Sequence, residues 1–203
     1  MWFGPAPSRG MSTRLQGFGV VVTPSEPYRI ERVDDAPETT LRVNGEIVDV
    51  LASDGAEITR ADRRATEWTI ETDELACAWP HGLALVSDPD GRSPFLLVGA
   101  NDAMVWIDGP IARERAWPIE TLADEGQTIR AIADTREGRD ARIDLDYVEE
   151  GELWWQRRYV LGWGDGDEKV IVISAQARAA DEDVVCAAID RIEATIARRE
   201  RAS

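Results

Sequence analysis

The sequence is poor in the residues on which most catalytic and extracellular chemistry depends. Its 203 residues include one histidine, His81, two cysteines, Cys77 and Cys186, and one lysine, Lys169. Two thiols are too few for a secreted scaffold in which disulfides replace a large core. With a single histidine, any Ser-His-Asp or Cys-His site has to be built around His81, because activating the nucleophile near neutral pH needs such a base. Long apolar runs are also missing. Near the start the best is Phe18 to Val22, interrupted by Gly19, and nothing in the chain approaches the roughly 20 residues of a membrane span. The start, Met1-Trp2-Phe3-Gly4-Pro5-Ala6-Pro7, lacks the basic segment and following apolar stretch of a secretory leader. These absences predict a cytoplasmic protein with reduced thiols.

Positive charge is scarce as well. Asp and Glu number 39 against 23 Lys and Arg, a net charge of −16. Phosphates would be repelled unless a basic face were strongly segregated, and no such face is visible, so neither nucleic acid nor a membrane surface is expected as a partner. Every basic residue but Lys169 is Arg, a skew that fits a GC-rich coding sequence better than a demand for guanidinium chemistry. What is abundant is ordinary core material. Hydrophobic residues make up 43% and charged residues 31%, a balance that supports a folded domain rather than disorder.

Residues 1–40 read as a Pro-rich, acidic N-terminal extension, since Pro5, Pro7, Pro24, Pro27 and Pro37 interrupt any helix. Gly19-Val20-Val21-Val22 can still add a strand. Residues 41–203 read as a single α+β domain, with a hairpin and short helix in 41–66 and a core sheet and C-terminal helix in 67–203. Leu41-Arg42-Val43 and Glu46 to Val50 flank Asn44-Gly45, the pair best suited to a type I′ turn. Ser53 or Asp54 caps a short helix near Ala56 to Ala65. Strands are expected at Glu67–Trp79, Leu83–Val86, Phe95–Gly99 and Met104–Ile107, then a short helix from Pro118 to about Glu125 with Gly126 as its stop.

The last third predicts strands at Gln127–Asp134, Ala141–Val148, Glu152–Trp163 and Lys169–Ala177. A turn at Glu150-Gly151 with Glu149 facing Glu152 sets Asp144 opposite Arg157 and Tyr147 opposite Trp154. A turn at Gly164-Asp165-Gly166-Asp167 with Trp163 facing Glu168 sets Tyr159 opposite Val172 and Val160 opposite Ile171. The period-two alternation leaves both faces too apolar to meet water. The final helix, from Asp181, offers one cover. Val185, Ala188, Ile189, Ile192 and Ile196 share a stripe, with acidic residues at its start and arginines at its end. The expected architecture is therefore an antiparallel β-sheet meander flanked by helices on both sides.

Chemistry-bearing residues are few. His81, between Pro80 and Gly82, reads as a turn residue, and Cys77-Ala78-Trp79-Pro80-His81 has no recognised metal spacing. Gly162-Trp163-Gly164-Asp165-Gly166 has the glycine content of a phosphate loop, but a strand rather than a helix follows. No metal and no cofactor are expected. Asp144 beside Arg157, on an otherwise aromatic face, is the sharpest polar feature and reads first as a cross-strand pair. Trp155, Tyr159 and Trp163 stand at i, i+4 and i+8 on one strand face. Such a row suits a partner or ligand surface, because aromatic residues dominate interface hot spots, or it is covered by the first part of the chain.

From Trp79 onward the order of elements resembles the PsbP/DcrB-like superfamily. Trp79-Pro80-His81-Gly82-Leu83-Ala84-Leu85 is similar to its opening Pro-x-Gly strand. The run Gly151 to Tyr159, a glycine turn, Val170 to Ala177 and the helix with Ile189, Ile192 and Ile196 are similar to its closing hairpin and final helix. The resemblance, over residues 79–200, contains no active-site motif. It implies an antiparallel sheet between helices in an accessory, chaperone-like or binding protein rather than an enzyme. The expected function is thus a non-catalytic cytoplasmic protein-binding module (an adaptor, effector chaperone or immunity-type protein) for a basic or secreted partner, with Trp155, Arg157, Tyr159, Trp163 and Asp144 as binding residues. The alternatives are a small apolar ligand held near Asp144 and Arg157, or a hydrolase using His81.

Overall fold

The computed structural model describes residues 13–16, 20–22, 28–35, 38–48, 68–72, 75–90, 93–135, 140–164 and 168–198. In chain order the strands begin with β1 (Thr13–Gln16), β2 (Val20–Val22), β3 (Arg29–Asp35), β4 (Glu38–Val43) and β5 (Glu46–Val48). They continue with β6 (Thr69–Glu71), β7 (Leu75–Ala78), β8 (Ala84–Val86), β9 (Leu96–Val98) and β10 (Met104–Ala112). The last are β11 (Thr128–Thr135), β12 (Asp140–Glu149), β13 (Glu152–Gly162), β14 (Lys169–Arg178), the helix α1 (Glu182–Thr195) and β15 (Ala197–Arg198). Two compact units result, one of Met1–Phe95 with Thr195–Ser203, the other of Leu96–Ala194. Among the described residues no helix is long and apolar enough to cross a membrane.

The first unit holds strands in the orders β8-β3-β4-β5 and β15-β7-β6-β1-β2, with antiparallel pairing throughout. Asn44 and Gly45 take φ of 49° and 88°, the left-handed pair that a two-residue hairpin requires, and β4 pairs β5 around them as expected. The single strand expected over Glu67–Trp79 is instead a hairpin, with Ile70 opposite Cys77. The polar run Thr72-Asp73-Glu74 breaks the alternation, and the Thr72 N–H donates to Leu75 O at 2.8 Å. The core here is aromatic. Trp68 and Trp79 meet edge to face at 6.1 Å, and the Arg32 guanidinium lies 5.0 Å from the Trp68 ring centroid. The Trp79 indole donates to Leu83 O at 2.8 Å, closing the Pro80-His81-Gly82 turn. The helix expected near Ala56–Ala65 lies outside the described residues.

The second unit is an antiparallel sheet in the order β11-β12-β13-β14-β10-β9. Its first hairpin has the expected register, with Glu149 opposite Glu152 and Asp144 opposite Arg157, because Glu150 and Gly151 form the tight positive-φ turn. The second hairpin is shifted by one residue. Tyr159 faces Ile173 and Val160 faces Val172, so every β14 side chain lies on the face opposite to the expected one. Val170 and Val172 join Ala141, Ile143, Leu145 and Val160 on one face, while Ile171 and Ile173 share the other with Trp155, Arg157 and Tyr159.

The expectation of helices on both sides is corrected. Among the described residues there is one α-helix, α1, of 14 residues. It covers the face of Arg157 and Tyr159, burying Val185, Ala188, Ile189 and Ile192. The other face is covered by the segment after β10, in which Ala116 and Ile119 pack on Ile143, Leu145 and Val160, with Ile111, Leu122 and Ala123 alongside. That segment holds only short 3-10 turns, Arg113–Arg115 and Ile119–Leu122. Pro110, Pro118 and Gly126 leave no stretch of the dozen or so residues that an α-helix needs to be stable, and tight 3-10 turns take its place.

Gly109 closes the bulge in β10, with φ of +112° and a position at which a Cβ would lie 2.9 Å from Val170 O and 3.0 Å from Ile111 N. Gly82 also has positive φ, +80°, but open space around it. Gly109→Ala is expected to lower stability by about 2 kcal/mol or more and Gly82→Ala by about 1 kcal/mol, since only the first adds a backbone clash to the conformational cost. Urea unfolding midpoints read the difference, and equal losses would contradict the close approach of β10 and β14.

Candidate functional site

The strongest concentration of polar chemistry lies where β12 and β13 meet α1. Arg157 and Asp144 are cross-strand partners, and the guanidinium forks onto the carboxylate, Nε to Oδ1 at 2.6 Å and Nη2 to Oδ2 at 3.2 Å. Nη1 points toward the helix, donating to Asp190 Oδ1 at 2.8 Å and touching Cys186 Sγ. The Tyr159 hydroxyl donates to the same Asp190 oxygen at 2.9 Å. Arg142, opposite Tyr159 on β12, adds its Nε 3.6 Å from Asp144 Oδ2. The guanidinium also lies 5.3 Å from the centroid of the Trp155 ring.

The local sequence explains this convergence. Strand alternation brings Asp144, Trp155, Arg157 and Tyr159 to one face. On α1, Cys186 and Asp190 are one helical turn apart, beside the stripe of Val185, Ile189 and Ile192. When that stripe packs on the sheet, its polar edge meets Arg157.

Burial works against the charge on Arg157, but the hydrogen bond and charge of Asp144, with the charge of Asp190 beyond it, hold its pKa above the ordinary arginine value. It stays ionised throughout the working pH range. Burial pushes the Cys186 thiol up. The Arg157 charge opposes this, while Asp190, Asp144 and Glu182 reinforce it, so Cys186 lacks the depressed pKa of a reactive thiol. Tyr159 is likewise raised, by burial and then by its bond to Asp190. Both Asp144 oxygens accept from Arg157, and the guanidinium is spent on protein partners. The arrangement clamps helix to sheet.

The expected binding residues are therefore distributed differently from an open surface. Trp155 is fully buried, Tyr159, Asp144 and Arg157 are buried, and Trp163 is half-buried where β13 ends. The Trp155 indole N–H has no hydrogen-bond partner among the described residues. The structure brings together Asp144, Trp155, Arg157 and Tyr159 and adds Asp190, Cys186 and Arg142, which sequence reasoning did not join to them. The legible signal was the i, i+4 pair Cys186 and Asp190 at the margin of the apolar stripe. His81 is exposed in its turn, and Cys77 is buried on β7, where burial pushes its thiol up to about 12. Among the described residues no group of three or more His, Cys, Asp or Glu side chains is arranged to hold a metal ion.

No protein-family model matches the chain, and no curated protein matches it. Among solved structures it is similar to the crystal structure of LpqN, involved in cell envelope biogenesis of Mycobacterium tuberculosis. The identity is 13% and the TM-score 0.49, over 62% of this chain and 83% of that one.

Arg157→Met removes the cation bonded to both Asp144 oxygens and leaves a buried carboxylate behind. Its expected cost is about 3–5 kcal/mol, against about 1 kcal/mol or less for Asp190→Asn at the half-exposed end of the network. Equilibrium unfolding in urea distinguishes them, and comparable small losses would remove the clamp. Cys77 carries a second expectation. With its folded pKa raised from 9.0 to about 12, its contribution to stability is whole below pH 9 and is lost as pH rises through 12, at up to about 1.4 kcal/mol per pH unit. Cys77→Ala should flatten the alkaline loss of stability. An unchanged pH profile would place the loss on other groups.

Proposed function

We propose that this chain is a non-catalytic, cytoplasmic protein-binding module for a basic protein partner, in the manner of an adaptor, an effector chaperone or an immunity-type protein. The observation that carries the reading is the partition of charge. The buried Arg157 charge is matched by Asp144 and Asp190, whereas carboxylates such as Glu114, Glu125, Glu149, Glu150 and Asp183 are exposed on a chain of net charge −16. A field of one sign steers oppositely charged partners and repels phosphate-rich ones. Cys77 and Cys186 are free thiols, in keeping with a reducing compartment. The likeness of the closing hairpin and final helix to the PsbP/DcrB superfamily supports an accessory role and belongs to the same proposal.

The test is a pull-down with the tagged full chain from its native lysate at low and high ionic strength. A single stoichiometric basic protein, retained at low salt and released as salt screens the charges, is the expected result. Folded bait that retains nothing at low salt, or retains only acidic proteins independently of salt, overturns the reading.

A further inference from the structure

The β12–β13 hairpin ends in a feature that the fold itself does not require. Val148 and Leu153 are direct cross-strand partners, and they are 67% and 53% exposed. One pair further in, on the same face, Asp146 stands opposite Trp155, which is wholly buried. The core thus stops abruptly, and the two apolar side chains stand beyond it. They are not needed to set the register, because the positive-φ Glu150-Gly151 turn already does so. Polar residues would serve as well at such exposed strand positions.

The cations near the pair are already engaged, Arg178 by Glu152 and Arg130 by Glu182 and Asp146, and the charges left unmatched are carboxylates. Glu149, Glu150 and Glu152 are exposed on the tip. Glu152 is bound by Arg178 at 2.6 Å, while Glu149 and Glu150 make no ion pair among the described residues. Asp183 is exposed in the first turn of α1, just after the 3-10 turn that packs on β13. The tip is also stiff. On its opposite face Tyr147 and Trp154 stack at 6.1 Å and 19°, and the Arg178 guanidinium lies 5.8 Å from the Trp154 ring centroid. A rigid apolar pair rimmed by unneutralised carboxylates is preorganised for binding, because little side-chain and loop entropy is lost on docking.

We infer that the Val148–Leu153 tip is the docking surface for a basic partner, taking a segment in which apolar side chains sit next to Lys or Arg. The apolar residues fill the space over Val148 and Leu153, and the cations meet Glu149 and Glu150. This deepens the protein-binding reading above and rests on it.

The experiment uses the full chain and a synthetic peptide of alternating leucine and lysine as the probe, followed by backbone-amide NMR at low salt. Shifts centred on Val148, Glu149, Glu150 and Leu153 are expected. The double variant Val148→Ser, Leu153→Ser should weaken binding about tenfold or more with an otherwise unchanged spectrum. Ile47→Ser, at an equally exposed apolar residue of another hairpin (68% exposed), should leave affinity unaltered. Binding with shifts centred elsewhere, or undiminished in the double variant, overturns this surface and leaves the basic-partner reading standing. Absence of any binding overturns both. Concentration-dependent association without peptide, lost in the double variant, makes a second copy of the chain the occupant and overturns the choice of a basic one.

Discussion

The second unit is organised by the need to bury one positive charge. Arg157 lies on the face that carries Trp155, Tyr159, Ile171 and Ile173, where an unpaired guanidinium would be prohibitively costly. Two conditions make it tolerable. Asp144 must stand directly opposite on β12, which it does through the bidentate pair at 2.6 and 3.2 Å. Asp190 must arrive from above, which positions α1 over the sheet through its 2.8 Å bond. A slip of one residue between β12 and β13 would turn Asp144 to the opposite face and leave Arg157 without a partner. The charge therefore reinforces the register that the Glu150-Gly151 turn sets and ties the position of the helix to it.

The opposite face of the same sheet is held differently. Ala141, Ile143, Leu145, Val160 and Val172 form a dry cluster beneath the segment that contains Ala116 and Ile119. Arg158 finishes it by donating to the Leu122 carbonyl at 2.5 Å and pairing with Asp124 at 3.0 Å. Gln156 accepts from both Gln127 and Arg158. Polar groups at the margin thus tie down a cover too short to be an α-helix. With the Arg157 guanidinium engaged on one face and Arg158 on the other, the charge free to act on other molecules is the surface excess of carboxylates. That division links the packing to the proposed role in binding rather than chemistry.

Much of this was legible where the chain turns tightly. Asn44-Gly45 and Glu150-Gly151 each define a two-residue turn, and each predicted the register of its hairpin, including the Asp144–Arg157 pair. The sequence between Trp163 and Glu168 is rich in both Gly and Asp and admits more than one closure. The Trp163 N–H donates to Lys169 O, where Glu168 was the expected partner, and that one residue moved Ile171 and Ile173 from one face to the other. Glu67–Trp79 had the alternation of a strand but contains two, since a hairpin and a long strand share the same period. The alternation of Trp155 and Tyr159 predicts a shared face, but its period does not reveal that α1 lies over it.

The sequence by itself determined the strands and final helix of the second unit, the pairing of Asp144 with Arg157, and a net charge of −16. These follow from local rules: alternation of period two, a helical stripe, turn residues with positive φ, and a charge count. Tertiary structure decided which faces are covered and by what. It brought Cys186 and Asp190 from α1 to Arg157, placed Trp155 inside, left Val148 and Leu153 outside, and replaced an expected helix by 3-10 turns. Local periodicity specifies which side chains share a face, whereas burial depends on which distant segment packs against that face.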